Sequence, residues 1–372
     1  MIAAVVALAT FAAACDVRAP SAAGGSSRPA DAVPATWTVS RGPELPRPLG
    51  NNAVAAAMVS GHPWLFSFLG LESGRDYHAI TTRAFALDIE RGRWEALPDV
   101  PGRAGRLAAT AQSIGDRVYV FGGYEVAADG RETTSPATDI YITSERRYAR
   151  GADQPVPLDD AVSGVWRDRL IYLISGWSTD RTVTTVQAYD PTADQWIAAT
   201  PIPGTPVFGH AGGLVDNTIV YCGGAKMLDT GTPKYGISGE CFRGDIDPET
   251  PASITWRAIA AHPGAPRYRA AAGPVRTAAQ TGIMFVGGTA NPYNYNGIGY
   301  NGQPAEPEAA TWIYDVAEDA WMPGPRLAAP TMDHRSLAHA AGAWWVVGGF
   351  TRGQAVTAGV TRLASGEPGK GR

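Results

Sequence analysis

Cysteine, histidine and excess charge are scarce in this sequence, and each scarcity narrows the possible functions. The 372 residues include 3 cysteines and 6 histidines, and no two cysteines stand at the short spacing typical of a zinc site. Lys and Arg total 31 against 35 Asp and Glu, for a formal net charge of −4, so no basic stripe is available for nucleic acid. We therefore expect no metal site, no cofactor and no nucleic-acid partner.

Long apolar runs are also missing, except at the N-terminus. Residues 2–14 form a mostly apolar run that is too short for an anchor helix and typical of a signal-peptide core. It ends in three alanines before Cys15, which resembles a bacterial lipobox and predicts lipidation of Cys15. The alternative is ordinary cleavage after Ala-x-Ala, with Cys15 incidental. Residues 1–15 are thus assigned as a signal peptide with a lipobox-like end.

The next segment, residues 16–35, is rich in Ala, Pro, Ser and Gly and shows no strand pattern. This composition is typical of a disordered tether. Together the two segments predict an exported protein on the periplasmic or outer-surface side of a bacterial membrane, attached only through an N-terminal lipid.

Hydrophobic strands that end in glycine recur along the rest of the chain. The sequence contains 44 glycines and 29 prolines, which supply the turns for many short strands. Four strands end in a glycine pair and two, at residues 65–70 and 171–176, keep only the second glycine. The last glycines of the six copies are Gly70, Gly123, Gly176, Gly224, Gly288 and Gly349.

These glycines follow one another at steps of 53, 53, 48, 64 and 61 residues. A period near fifty with four short strands per unit is typical of kelch propeller blades. One twisted four-stranded sheet cannot bury both its faces, so such units stack around an axis. The pattern predicts an all-β fold, a six-bladed kelch β-propeller.

A second repeat keeps step with the glycines. An Asp precedes a Trp by six residues in Asp88 and Trp94, in Asp190 and Trp196, and in Asp315 and Trp321. Trp256 follows Asp247 at a longer spacing, and Tyr148 takes the equivalent place in the second unit. We expect these rings to pack between neighbouring sheets.

The two ends of the propeller complete each other. The last glycine pair is followed by one plausible strand, Val356 to Leu363, but by no Trp strand, whereas an unassigned Trp strand at Thr36–Val39 opens the region. The N-terminal strand is therefore predicted to complete the last blade, which removes open sheet edges. The propeller is assigned to residues 36–363 and a polar tail to residues 364–372.

Cys222 and Cys241 are the remaining cysteines. Cys222 ends the second strand of the fourth blade, and Cys241 falls on the adjacent third strand. In an oxidising compartment they are candidates for a disulfide, and two buried free thiols are the alternative.

The loops after the glycines gather on one face of a propeller, where a site for a small ligand is expected. They are long and carry aromatic, Arg, Asp and Asn residues, which suit a sugar ring and its carboxylate. The loop of residues 291–301 holds three Tyr and four Asn. The candidate ligand-binding residues on these loops are Arg75, Tyr77, His78, Trp177, Asp180, Arg181, Tyr293 and Tyr295.

The starts of the inner strands form a second ring of candidates. Arg106 and Asp159 stand seventeen residues before the last glycines of their units. With shifted hairpin lengths, the residues near the same place are Asn52, His210, Arg267 or Arg269, and His334 or Arg335. Such groups bind an anion or pair with one another around the axis. Arg106 and His210 are added to the ligand candidates, although mutual pairing is the more ordinary outcome.

The glycine and Trp repeats resemble the kelch superfamily over nearly the whole mature chain. Within it, the chain resembles the N-acetylneuraminate epimerase, or sialic acid mutarotase, group in its single first-blade glycine, in the segment Trp94 to Gly123 and in its Tyr- and Asn-rich fifth loop. The resemblance implies an exported six-bladed propeller that acts on an acidic sugar.

One departure from that family concerns its catalysis. The family carries Gly-Glu-Ala-Lys and then an Arg at the end of the fourth blade, and this Glu and Arg are its proposed catalytic pair. Here the stretch is Gly223-Gly224-Ala225-Lys226, and no Arg follows until Arg243. Ring opening needs an acid and a base, so no catalytic residue is assigned. A copper oxidase of the galactose oxidase type is rejected, because the sequence has too few cysteines in the right context and lacks the flanking domains of that enzyme.

Two classes of function remain open from the sequence. One is a surface protein that binds or isomerises a sugar, and the other is a non-catalytic module that binds an envelope protein.

Overall fold

The computed structural model describes residues 36–229 and 231–366, which fold into six four-stranded antiparallel sheets. Cys15 and the predicted signal peptide and tether lie outside the described residues. Within those ranges no helix is long and apolar enough to cross a membrane.

Each sheet is one blade, and its strands are given from the axis outward. The strands of blade 1 are Ala53–Val59, His62–Phe68, Ala84–Asp88 and Arg93–Ala96. Those of blade 2 are Thr110–Ile114, Arg117–Phe121, Thr138–Ile142 and Arg147–Arg150. Those of blade 3 are Val162–Trp166, Leu170–Ser178, Arg181–Asp190 and Gln195–Ala199.

The remaining blades follow the same order. The strands of blade 4 are Ala211–Val215, Thr218–Cys222, Cys241–Ile246 and Ile254–Ile259. Those of blade 5 are Ala271–Arg276, Thr281–Val286, Thr311–Asp315 and Ala320–Pro323. Those of blade 6 are Ala338–Ala340, Ala343–Val347, Val360–Gly366 and Thr36–Arg41.

The six-bladed all-β fold and its closure by the N-terminal strand are confirmed. Thr36–Arg41 pairs antiparallel with Val360–Gly366, with Trp37 opposite Ser365 and Thr36 opposite Gly366. The third strand of blade 6 therefore continues three residues past Leu363, because the N-terminal strand supplies partners that far. The Trp37 ring packs edge-on against Trp344 at 5.3 Å between ring centroids.

The glycine pairs allow two blades to approach closely. In blade 2, Gly122 and Gly123 have φ of 59° and 82°. A Cβ on Gly122 would lie 1.9 Å from the Leu158 carbonyl oxygen of blade 3, and one on Gly123 would lie 2.6 Å from the Leu107 carbonyl oxygen. Only glycine accommodates both the positive φ and the contact.

The aromatic residues of the fourth strands join neighbouring blades, as expected from the sequence. In blades 1 to 5 this ring donates a hydrogen bond to a backbone carbonyl of the preceding blade. The bonds run from Trp94 to Pro43, Tyr148 to Pro98, Trp196 to Ala152, Trp256 to Thr200 and Trp321 to Ala260, at 2.7–3.1 Å. The Asp of the repeat caps the turn before the strand: Asp190 Oδ1 accepts from the backbone N–H of Thr192 and Ala193.

The post-glycine loops add their own short elements on one end of the propeller, here called the loop face. Three are small hairpins, made of Tyr124–Val126 with Glu132–Thr134, Ala225–Met227 with Tyr235–Ile237, and Phe350–Thr351 with Ala355–Val356. Two 3-10 helices, Tyr77–Ala79 and Arg352–Gln354, complete this face. Cys222 and Cys241 face each other on paired strands of blade 4 and form a disulfide.

Candidate functional site

A ring of six backbone positions surrounds the axis at the loop-face end of the inner strands. Each blade contributes one residue with positive φ, and we call this set the axial ring: Asn51, Ala108, Asp160, Gly209, Arg269 and Asp333. The backbone N–H of each donates to the ring residue of the previous blade, to its carbonyl in five cases and to the Asn51 side chain in the sixth. The ring therefore constricts the axis.

Charged side chains of the axial ring pair across the axis. Arg269 contacts Asp160 at 2.6 Å and Asp333 at 3.3 Å, and Arg335 contacts the other oxygen of Asp160 at 2.9 Å. Both arginines and both aspartates are buried. Asn51 donates to Asp333 Oδ1 and accepts from Arg335. Charges taken this far from water persist only when they are paired, so this network holds the axis together.

Tyr293 covers the network from the loop face. It is fully buried, and its hydroxyl donates to Asp333 Oδ1 at 3.0 Å. The Arg269 guanidinium lies 5.1 Å from the Tyr293 ring centroid and 4.9 Å from that of Tyr268. Tyr293 thus closes the loop-face end of the axis. Because it is fully buried there, its role is structural and it is not an exposed binding residue.

Two further buried groups beside the ring have shifted pKa values. Burial lowers the pKa of His210 to about 4, although its Nε2 hydrogen-bonds the Ile174 carbonyl at 2.9 Å. Burial, with the neighbouring Asp160 carboxylate, raises the pKa of Asp159 well above its usual value. His210 is therefore expected to be uncharged at neutral pH.

The predicted arginines mostly contact the protein itself. Arg75 Nη1 donates to the Gln354 carbonyl at 3.0 Å, which ties the first loop to the last. Arg181 pairs with the adjacent Asp180 at the exposed tip of its hairpin. Arg106 pairs with Asp139 inside blade 2 and is buried. None of these three guanidiniums is left free at the centre of the loop face.

The predicted aromatic residues divide into two places. Tyr77 and His78 pack against each other in the first loop, with tilted rings at 3.8 Å between centroids. Tyr295 is half-buried in the fifth loop. Trp177, also half-buried, lies instead over the region between blades 3 and 4, where it contacts Phe208 edge-on at 5.6 Å.

Trp177 belongs to an aromatic surface that the sequence did not single out. Tyr235 lies 5.8 Å from Trp177 and 4.5 Å from Tyr300 between ring centroids, and all three rings are half-buried. Buried Phe208 lies beneath them and contacts each. We call Trp177, Tyr235 and Tyr300 the aromatic patch. Three partly exposed rings on a shared floor form a platform against which a flat apolar surface can pack.

Gly224, which stands where the resembled family has a catalytic Glu, leaves no space for a side chain. Its φ is 87°, and a Cβ there would lie 2.8–2.9 Å from the backbone and Cβ of His210. The fourth blade therefore has neither the Glu nor the room for it in its present backbone conformation.

The axis opens into a cavity on the far side of the ring. The cavity has a volume of about 210 Å³ and is bounded by the inner strands of all six blades, through residues such as Ala55, Ala111, Ser163, Leu214, Ala272 and Ala338. Its walls are mostly small residues, and Ser163 and Gln112 hydrogen-bond each other there.

Sequence reasoning missed Asp160 and Asp333, and it named Arg269 only as an alternative to Arg267. The ring residues stand between 15 and 19 residues before the last glycine of their blades, so a fixed offset misplaces them by one or two positions. The blade-by-blade hairpin lengths would have located them, because the ring residue always precedes the inner strand.

Comparisons with known proteins agree on the fold. No protein-family model matches the chain. Kelch-like protein 15 of Gallus gallus is 30% identical over 152 residues, which are 41% of this chain and 30% of that protein. Beta-scruin of Limulus polyphemus is 24% identical over 191 residues, 49% of this chain and 20% of that protein. The chain thus spans less than a third of the length of these curated relatives.

A solved structure described as "Structure of YjhT" superposes with a TM-score of 0.67, covering 85% of this chain and 95% of that chain at 16% identity. At this identity the likeness concerns the fold alone. Together the findings establish a kelch-repeat β-propeller, while the resemblance to the sialic acid mutarotase group stays a prediction.

Proposed function

We propose that the loop face binds a carbohydrate and that the aromatic patch is the surface on which the sugar ring packs. The observation that carries this proposal is the cluster of Trp177, Tyr235 and Tyr300, three half-buried rings within 6 Å of their neighbours. Aromatic faces pack on the C–H faces of sugar rings, and a small number of polar groups beside them fixes the orientation.

The patch replaces the arginines as the centre of the proposed site. Arg75 and Arg181 are engaged with backbone and Asp180, so a grip on a sugar carboxylate would require these contacts to break. The proposal is therefore one of binding, and the Glu and Arg pair of the resembled family plays no part in it.

The test is a titration of the purified protein with a panel of neutral, amino and acidic sugars, in which binding is measured by ligand-observed NMR. We expect Trp177→Ala and Tyr300→Ala to lower the affinity about tenfold, because each removes one stacking surface. Trp177→Phe keeps a ring and should retain most of the binding. Met58→Ala changes an exposed hydrophobic residue at the opposite end of blade 1 and serves as the control. Binding that survives both alanine substitutions, or no binding by any sugar, would contradict the proposal.

A protein partner is the second candidate, and one observation favours it. Met227 and Ile298 are each 38% exposed, and both lie on loop-face loops near the patch. Exposed apolar side chains of this size are typical of contact surfaces between proteins. Met227→Ser with Ile298→Ser should abolish such an interaction and leave sugar binding unchanged.

Export and lipid attachment remain part of the proposal. Cys15→Ser should move the protein from the membrane fraction to the soluble fraction, since the thiol is the attachment point. A wild-type protein already in the soluble fraction would contradict lipidation.

A further inference from the structure

The aromatic patch has an acidic side, formed by Glu132 and Asp159. Glu132 and Thr134 alternate on one short strand, so their side chains lie on the same face of the hairpin. Thr134 Oγ1 donates to Asp159 Oδ2 at 2.9 Å, which shows that this face is turned toward blade 3. Asp159 is itself paired by backbone hydrogen bonds with Trp177 of the patch.

Neither carboxylate forms an ion pair within the described residues. Asp159 is 3% exposed, and its Oδ1 accepts no hydrogen bond there. Glu132 is exposed and forms no ion pair there. Burial is the main cause that raises the pKa of Asp159, and the neighbouring Asp160 and Glu132 carboxylates raise it further. The Arg269 guanidinium beneath them is already matched by Asp160 and Asp333.

An ammonium group already sits on the patch. Lys234 Nζ lies 5.4 Å from the centroid of the Tyr235 ring, and the side chain is otherwise exposed. Cations are attracted to the face of an aromatic ring, more strongly when carboxylates stand nearby. The protein's own loop therefore supplies the type of group that this surface attracts.

We propose that the ligand of the aromatic patch is an amino sugar with a free, protonated amine, whose ring packs on Tyr235 and Tyr300 while its ammonium takes the place of Lys234 beside Glu132 and Asp159. This inference rests on the proposed carbohydrate binding and specifies its substrate class. A charge-assisted hydrogen bond from the ammonium to Glu132 fixes the orientation, and the unpartnered Asp159 oxygen adds negative potential below it.

The proposal predicts an order among three sugars of the same ring. Glucosamine should bind about tenfold more tightly than glucose, because the ammonium adds a charge-assisted bond. N-acetylglucosamine should bind no better than glucose, since its nitrogen carries no charge.

Two substitutions act on glucosamine in opposite directions. Glu132→Gln should lower its affinity about tenfold and leave glucose unchanged. Lys234→Met should raise it several-fold by removing the competing ammonium. Glu125→Gln is the matched control, because Glu125 lies on the same hairpin but on the other face, opposite Thr133.

The outcomes separate this inference from the proposed function. If glucose, glucosamine and N-acetylglucosamine bind with equal affinity, the amine preference is wrong and carbohydrate binding stands. If glucosamine is preferred but Glu132→Gln and Glu125→Gln affect it equally, the acidic side of the patch is not the recognition element. If neither these three sugars nor any other sugar of the panel binds, both proposals fail.

Discussion

The outer rim of the propeller and its axis are joined by different kinds of contact. At the rim, one contact recurs in blade after blade, an aromatic residue that donates to a carbonyl of the preceding blade. At the axis, only the backbone ring recurs, and its six side chains differ: amide, methyl, carboxylate, none, guanidinium and carboxylate. The repeated contacts thus belong to the propeller scaffold, whereas the side chains that vary from blade to blade are specific to this protein.

The largest expected effect is the loss of a charge at the axis. Arg269→Met leaves Asp160 and Asp333 buried with one guanidinium between them, and we expect the free energy of unfolding to fall by about 3–5 kcal/mol. Urea unfolding followed by circular dichroism measures it.

The control for Arg269 is an exposed pair of similar length. Arg276 contacts Asp216 at 2.6 Å, with both side chains about 60% exposed. Arg276→Ala should change the free energy of unfolding by less than about 1 kcal/mol. Equal losses of unfolding free energy in the two variants would mean that the buried ion pairs at the axis stabilise the fold no more than an exposed pair does.

Much of the fold was predictable from the sequence, because it follows from the repeated glycines and aromatic residues. Six glycine copies fixed the blade number, and the isolated Trp37 strand fixed the closure. The site was harder to predict. Tyr235 and Trp177 are distant in sequence and meet only because adjacent blades deliver their loops to one face. Asp333 was passed over for its neighbours, since a one-residue change in hairpin length moves a side chain from the axis to the blade interior.

The second prediction concerns acid, and it tests whether the axis is sensitive to pH. The folded pKa of His210 is about 4 against 6.5 for the ordinary side chain, because burial disfavours the cation. Below pH 6.5 the unfolded chain takes up a proton that the folded protein refuses. The fold should therefore lose about 3 kcal/mol of stability from this group as the pH falls from 6.5 to 4.

His210→Gln should remove that part of the acid sensitivity, and it keeps a donor for the Ile174 carbonyl. Unfolding free energies of variant and wild type at pH 7 and pH 4.5 give the comparison. His62→Gln, at an exposed position, is the control. An unchanged difference between the two pH values in His210→Gln would show that His210 is not the group responsible.

The third prediction separates two reasons for a glycine, a positive φ and a close approach of neighbouring backbone. Gly123 and Gly130 both have φ of 82°, but a Cβ meets the Leu107 carbonyl oxygen at 2.6 Å in the first and nothing within 4 Å in the second. Gly130→Ala should cost about 1 kcal/mol for the backbone conformation alone. Gly123→Ala should cost at least about 2 kcal/mol more, because backbone must move. Equal melting temperatures for the two variants would contradict the close approach of the Leu107 backbone as the reason for the second glycine of the pair.

The smallest expected effect lies at the rim and concerns a single indole N–H. Trp196 Nε1 donates to the Ala152 carbonyl at 2.9 Å, whereas the buried Nε1 of Trp312, on the third strand of blade 5, has no partner in the described residues. Trp196→Phe should lower the free energy of unfolding by about 1 kcal/mol beyond the packing loss that both substitutions share, because the Ala152 carbonyl loses its donor. Trp312→Phe removes a donor that makes no hydrogen bond, so this additional loss of unfolding free energy should be absent, or the substitution should be slightly stabilising. Urea unfolding of the two variants side by side isolates the hydrogen bond, and an equal loss in both would mean that ring packing alone joins one blade to the next.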